Sequence, residues 1–111
     1  MGILGIASSG LAAAQAQLNV TANNIANLNT AGYKAQRVDL VANPGGGVDV
    51  AGVSSTGKSV DLASEFVNLK QAALTYGANA LVVKTSEQMY GSLLDILDNQ
   101  NQDENSSQNN S

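Results

Sequence analysis

Apolar side chains recur every seven residues through the first thirty positions, and a second series of mostly small residues follows three positions behind. This alternating spacing is the a/d pattern of a coiled coil, and small side chains at d allow two helices to approach closely. We therefore predict a helix over about residues 3–29, with Gly32 as its stop signal. The helix-pairing positions predicted in this segment are Leu4, Leu11, Leu18 and Ile25.

A second heptad series runs through the C-terminal half of the chain. It predicts a longer helix over residues 59–97, with Ser59 as the N-cap. At 1.5 Å per residue such a helix is about 57 Å long, which is typical of a coiled coil. The pairing positions predicted here are Leu62, Phe66, Leu69, Tyr76, Val83 and Leu94.

Residues 36–58 separate the two predicted helices. Apolar residues alternate with polar ones on either side of a turn at Pro44 and three glycines, which predicts a short β-hairpin followed by a polar linker. Residues 98–111 contain no apolar side chain and are predicted to be disordered. The sequence thus predicts a mainly α chain: an antiparallel two-helix coiled-coil hairpin with a small β-hairpin insertion at one end and a disordered C-terminal tail. Its segments are 1–35, 36–58, 59–97 and 98–111.

Composition excludes several classes of function. The chain has no His and no Cys, which removes imidazole bases, thiol nucleophiles, disulfides and the usual zinc sites. A net charge of −4 with five Lys plus Arg argues against nucleic acid as a partner. The carboxylate pairs lie near the ends of a predicted helix without a convergent partner, so we expect no enzyme activity and no catalytic, cofactor or metal site.

Charged residues make up only 13% of the chain, about half the usual share, which favours burial against other subunits. The first cation is Lys34, so a basic leader region is missing and no cleaved signal peptide is expected. No apolar run approaches the roughly 18 residues of a membrane span, so direct membrane insertion is not expected either.

A cluster of Asn residues lies in the first predicted helix. Three of them are four residues apart and share one face, although Asn costs a helix about half a kcal/mol relative to Ala. Two interpretations remain open: a solvated face near the helix end, or a hydrogen-bonding strip for neighbouring subunits. The residues predicted to contact another subunit are Asn19, Asn23, Asn24 and Asn27.

Residues 52–59 match the phosphate-loop pattern G-x-x-x-x-G-K-S, with Lys58 and Ser59 at its end. A nucleotide-binding domain of that type needs several parallel strands with crossover helices, and this chain has no room for them. We interpret the segment as a linker.

Two stretches resemble the signatures of bacterial flagellar rod and hook proteins. Residues 22–34, ANNIANLNTAGYK, look like the family's N-terminal signature. Residues 60–69, VDLASEFVNL, look like its C-terminal signature, which continues in YGANA at 76–80, VKT at 83–85 and MYGSLLDI at 89–96. The signatures occur in the family's order and at the family's ends.

The resemblance implies a structural subunit of the flagellar rod whose terminal helices pair and pack into a tube. Its implied partners are other flagellar axial (rod and hook) proteins, copies of itself and the flagellar type III export apparatus. The implied location is the basal body, in the rod that crosses the periplasm, reached without a cleaved signal peptide. The insertion of about twenty residues is much shorter than in hook proteins, which favours a proximal-rod-like subunit. An alternative is a soluble adaptor or export-linked binding protein on the same helical hairpin.

Overall fold

The computed structural model describes residues 2–109, with side chains described as far as Asp103. The elements, in chain order, are α1 (Ile3–Ala26), β1 (Gln36–Ala42), β2 (Val48–Ser55) and α2 (Leu62–Asn109). The prediction of a mainly α chain with a small antiparallel β-hairpin between two helices is confirmed. The chain measures 83 × 26 × 15 Å, because the 48 residues of α2 alone extend for about 70 Å.

The two helices run antiparallel. Asn24 of α1 bonds Glu65 of α2, and Gly10 of α1 lies against Asn79 of α2. The step of fourteen residues back along α1, from Asn24 to Gly10, therefore matches the step of fourteen residues forward along α2, from Glu65 to Asn79. In this register the start of α1 lies level with Ser86, the last buried residue of α2. The remainder of α2 extends past α1, and residues 87–103 are all exposed.

The helix-pairing seam, meaning the residues of each helix that face the other, differs from the prediction in α2. Phe66 is 55% exposed, so the predicted series that contains it does not face α1, and Leu94, 64% exposed, lies past the end of α1. The buried residues of α2 lie one position before the predicted series that contains Phe66. Half-buried residues complete the alternating spacing of three and four residues. These seam residues of α2 are Glu65, Leu69, Ala72, Asn79, Val83 and Ser86.

The surface of α1 explains this one-residue shift. Its buried positions carry small or amide side chains, and its four predicted pairing residues lie at the border of the contact, half-buried. A groove lined by such small residues accepts Ala72 and Ser86 but leaves no room for the ring of Phe66. The buried residues of α1 are Ala7, Ala13, Ala14, Thr21 and Asn24. Of the remaining predicted α2 positions, Leu69 and Val83 are half-buried, whereas Leu62 and Tyr76 are 37% and 42% exposed.

The β-hairpin does not stand at one end of the helix pair, as the sequence suggested, but folds back along α1. Gln36, at the start of β1, bonds Asn24, and the Val48 N–H, at the start of β2, donates to Ser9 Oγ at 3.1 Å. Gly46 and Gly47 form the turn with φ of 105° and 86°, a conformation that favours glycine. A bulge between Asp39 and Leu40 interrupts the strand pairing.

The helix α2 also ends later than predicted. The backbone is helical through Asn109, past the predicted helix end at residue 97. Neither Gly nor Pro follows Gly91, so every residue beyond Leu97 can continue the backbone hydrogen-bond ladder of the apolar helix before it. Residues 98–103 are exposed, so this extension is not packed against the rest of the chain. Residues 110 and 111 of the predicted tail lie outside the described residues.

Asp61, rather than the predicted Ser59, caps the start of α2. The Asp61 carboxylate accepts the Ala63 N–H and the Ser64 hydroxyl, both at 3.1 Å. Replacing Asp61 with Ala should lower the free energy of unfolding by about 1 kcal/mol, because helix-start N–H groups lose their acceptor and the helix loses a favourable charge. Ser59→Ala is the matched control and should change urea unfolding, followed by circular dichroism, by less than half that amount. Equal effects of the two changes would contradict this assignment.

Candidate functional site

Asn24 joins α1, the β-hairpin and α2, and it is almost completely buried, at 1% exposure. Its Nδ2 donates to the Gln36 carbonyl at 2.9 Å and to Glu65 Oε1 at 3.1 Å. Its Oδ1 accepts the Gln36 N–H and the Tyr33 hydroxyl, both at 2.9 Å. One side chain therefore fixes α1 to β1, to the turn before β1 and to α2.

Glu65 is the buried carboxylate of this network, with 5% of its surface exposed. Its Oε1 accepts from Asn24, whereas its Oε2 is buried and has no hydrogen-bond partner among the described residues. It lies in the first turn of α2, where the helix dipole favours negative charge. Because Oε1 accepts from Asn24, this carboxylate joins the start of α2 to α1.

An open groove of about 540 Å³ lies between the two helices and β1, beside Glu65. Arg37 lines it, but the Arg37 Nε donates to Asp39 at 3.1 Å. A hydrogen bond from the Ser54 hydroxyl, helped by Arg37, lowers the pKa of the Asp39 carboxyl. The groove holds no nucleophile beside a base, and no group of three His, Cys, Asp or Glu residues in the described chain could bind a metal ion.

The four predicted contact asparagines do not form one strip. Asn24 lies inside the chain, because its side chain completes the network above, and this corrects its assignment to an outward face. Asn27 is half-buried and donates to the Asn23 carbonyl at 2.9 Å, which closes the end of α1. Asn19 and Asn23 are exposed and remain available to a neighbour. Asn24 is next to Asn23 in sequence and outside the four-residue spacing of the other three, and only the packing shows that it is the buried one.

An exposed face of α1, here called the α1 outer face, includes Asn19 and Asn23. Its side chains are small or uncharged, and residues 1–33 contain no charged side chain. The α1 outer face consists of Ser8, Ala12, Gln15, Asn19, Ala22, Asn23 and Ala26. It points away from both α2 and the hairpin, since the residues packed against those elements lie on the other sides of the helix.

A more conspicuous surface runs along α2 and was not predicted from the sequence. Large apolar side chains occupy positions two or three residues after those of the seam and are exposed, and one of them, Leu74, lines the edge of the groove described above. Their exposed fractions range from 36% for Val82 to 68% for Met89. This α2 outer stripe consists of Val67, Leu74, Leu81, Val82, Met89 and Ile96. In the sequence this stripe corresponds to two further heptad series of apolar residues in α2, which a search for a single pairing seam overlooks.

The segment that matches a phosphate loop has another structure. Its first four positions lie in β2 and pair with β1, so their N–H groups do not converge on an anion. Gly57 has a φ of 70° at the turn that follows, and Lys58 is exposed. The Lys58 carbonyl accepts the Ala35 N–H at 2.9 Å, which holds the turn against the start of β1. The segment is a strand end and a turn.

Comparison with known proteins adds one finding to this geometry. Residues 4–34 match a family model described as flagella basal body rod protein. The match covers α1 from Leu4 onward and the turn that carries Tyr33, and so includes the α1 outer face and Asn24 and Tyr33 of the network, whereas Gln36 and Glu65 lie outside it. No curated protein matches the chain. Within the described residues, none of the helices has the length and apolar character that crossing a membrane requires.

Proposed function

We propose that the chain, whose residues 4–34 match the family model of the flagella basal body rod protein, is a structural subunit of the rod that assembles through its two helices. The observation that carries this proposal is the α2 outer stripe, a row of large apolar side chains left exposed along α2. Monomeric soluble proteins rarely expose an apolar surface of this length, and such surfaces mark protein contacts.

The interior of the chain supports the same function. The fully buried apolar residues of the described structure are all alanine, at positions 7, 13, 14, 35 and 72. Alanine burial contributes little free energy, so the isolated subunit has a small margin of stability and gains most of its apolar burial from neighbours. A chain of low stability with no disulfides suits export in an unfolded form. We propose the flagellar type III export apparatus as the route and the periplasm-crossing rod as the destination, without signal cleavage.

Quantitative mass spectrometry of detergent-washed basal bodies tests this function. We expect several copies of the chain per basal body, at a ratio to other rod proteins that stays constant between preparations. Deleting its gene should abolish motility and leave basal bodies without a complete rod. Recovery of the chain only in the soluble fraction, bound to export components, would contradict the structural role and favour the adaptor alternative.

A further inference from the structure

We propose that the open groove between α1, α2 and β1 binds an extended segment of a partner protein. The segment adds to the free edge of β1 and places a Lys or Arg side chain beside Glu65. Three features of the groove carry this assignment: an unpaired strand edge, a buried carboxylate without a counter-charge, and a polar lining. The binding site is independent of the rod function, so purified protein is sufficient to test it.

The free edge of β1 is open at Val38, which lines the groove. In an antiparallel pair, the N–H and C=O of one residue point to the partner strand and those of the next residue point away. The N–H and C=O of Ala35 bond the residues that follow β2, and those of Gln36 point to the opposite edge, where both bond Asn24. The same alternation turns the N–H and C=O of Val38 to this opposite edge. Among the described residues, no hydrogen bond reaches the Val38 backbone there.

The Asn24 side chain shows what this edge of β1 accepts. Its Oδ1 accepts the Gln36 N–H and its Nδ2 donates to the Gln36 C=O, both at 2.9 Å. One residue of a neighbouring antiparallel strand makes the same two-way exchange. The amide therefore takes the place of the first residue of a third strand, and Val38, two residues further along β1, is the next position at which such a strand pairs.

The rest of this edge lacks the features that usually block strand addition. Proteins protect exposed edges with Lys, Pro or a bulge in the edge strand. Residues 38–42 contain neither Lys nor Pro. The bulge of this hairpin lies in β2, because the pairing passes from Gly52 to Val50 and leaves Ala51 as the extra residue. The strand β1 therefore keeps a regular edge, and an extended peptide can pair with it through main-chain hydrogen bonds.

The charges of the groove select a cation on the incoming segment. Glu65 lines the groove, and its Oε2 has no hydrogen-bond partner among the described residues. Arg37 is the one cation among the residues that line the groove, and its Nε already bonds Asp39. An opposite charge within about 4–6 Å favours the charged form of a carboxyl group, so a Lys or Arg side chain can act without a direct bond to the covered Oε2.

A second copy of the chain does not supply this cation. The extended segments of the described chain are β1 and β2, and together they contain one cation, Arg37. That side chain is bonded to Asp39 within its own strand, so a copy that paired through its hairpin would bring no free positive charge to Glu65. The occupant is therefore an extended, basic segment of a different protein.

Titration of the purified chain with synthetic peptides, followed by amide NMR, tests this site. The probe is the pentapeptide acetyl-TVKVT-amide, and its control is acetyl-TVQVT-amide, which has the same strand propensity without the charge. At millimolar peptide we expect the Val38 amide resonance to shift and its solvent exchange to slow by about tenfold, because the N–H gains an acceptor. The Arg37 amide, which faces β2, should change little. The Lys peptide should bind about tenfold more tightly than the Gln peptide.

Two variants make the charge preference specific to Glu65. Glu65→Gln keeps an acceptor for Asn24 and removes the charge, so the two peptides should then bind equally. Asp61→Asn is the matched control, since it removes a charge from the start of the same helix and keeps a side chain that caps it. It should retain the preference for the Lys peptide. Circular dichroism shows whether both variants are folded, and the comparison of the two peptides on the parent chain needs no variant.

Three results would overturn the assignment. An unchanged Val38 amide at millimolar Lys peptide would show that the edge does not accept a strand. Equal affinity of the parent chain for the two peptides would remove the role of Glu65. A Val38 shift that grows with the concentration of the chain alone would show pairing between copies instead of a partner protein. None of these results depends on whether basal bodies contain the chain, so the rod function is tested separately.

Discussion

Replacing Asn24 with Leu should lower the free energy of unfolding by about 3–5 kcal/mol, which is the range for leaving a buried charged group without its partner. Leu has a similar size but cannot donate to Glu65 or accept from Gln36 and Tyr33, so buried polar groups on three elements lose their partner together. Because the buried apolar core is only alanine, this loss should leave much of the chain unfolded at 25 °C. Urea unfolding followed by circular dichroism at 222 nm measures the effect.

Two further variants make this result specific to the network. Asn23→Leu is the matched control, since the exposed Asn23 side chain bonds only Tyr33 and Asn27, both in solvent-accessible positions, so the change should cost less than about 1 kcal/mol. Adding Glu65→Leu to Asn24→Leu should recover part of the lost stability, because the uncompensated carboxylate is then removed. An additive double variant would show that Asn24 and Glu65 do not act as a pair.

Gly10→Val should separate the two helices and lower the free energy of unfolding by about 1–3 kcal/mol, the usual cost of overpacking. A Cβ atom at Gly10 would lie 2.6 to 2.8 Å from the amide atoms of Asn79, closer than non-bonded contact allows. The Asn79 amide is held in place by its own bond to the Thr75 carbonyl at 3.0 Å. The change therefore forces either that side chain or the whole helix to move.

A glycine of the other helix, Gly77, supplies the control. A Cβ at Gly77 has nothing within 4 Å, so Gly77→Ala should instead stabilise α2 by up to about 1 kcal/mol through helix propensity. Combining Gly10→Ala with Asn79→Ala should cost less than the sum of the two single changes, because the clash is removed. A destabilising effect of Gly77→Ala as large as that of Gly10→Val would mean that backbone effects, not the close approach, dominate.

The two helices and the hairpin follow from the sequence because their signals are local. A heptad period needs only the chain itself, and the turn at Pro44 with its glycines specifies a hairpin without reference to the rest of the fold. The absence of His and Cys likewise restricts the chemistry whatever the fold is. The prediction failed at the start of α2, where the choice between Ser59 and Asp61 as cap involves a difference of about 1 kcal/mol.

Only the tertiary structure decided which faces of the helices meet. Leu69 and Val83 lie next to two possible companion series, one containing Phe66 and the other Glu65, and the sequence favours the apolar one. The small residues of α1 and the hydrogen bond from Asn24 select the other, so Phe66 remains outside and Glu65 is buried. Patterns along one helix specify how many apolar faces it has. The shape and polar groups of the surface opposite decide which face is buried, and residues distant in sequence supply that surface.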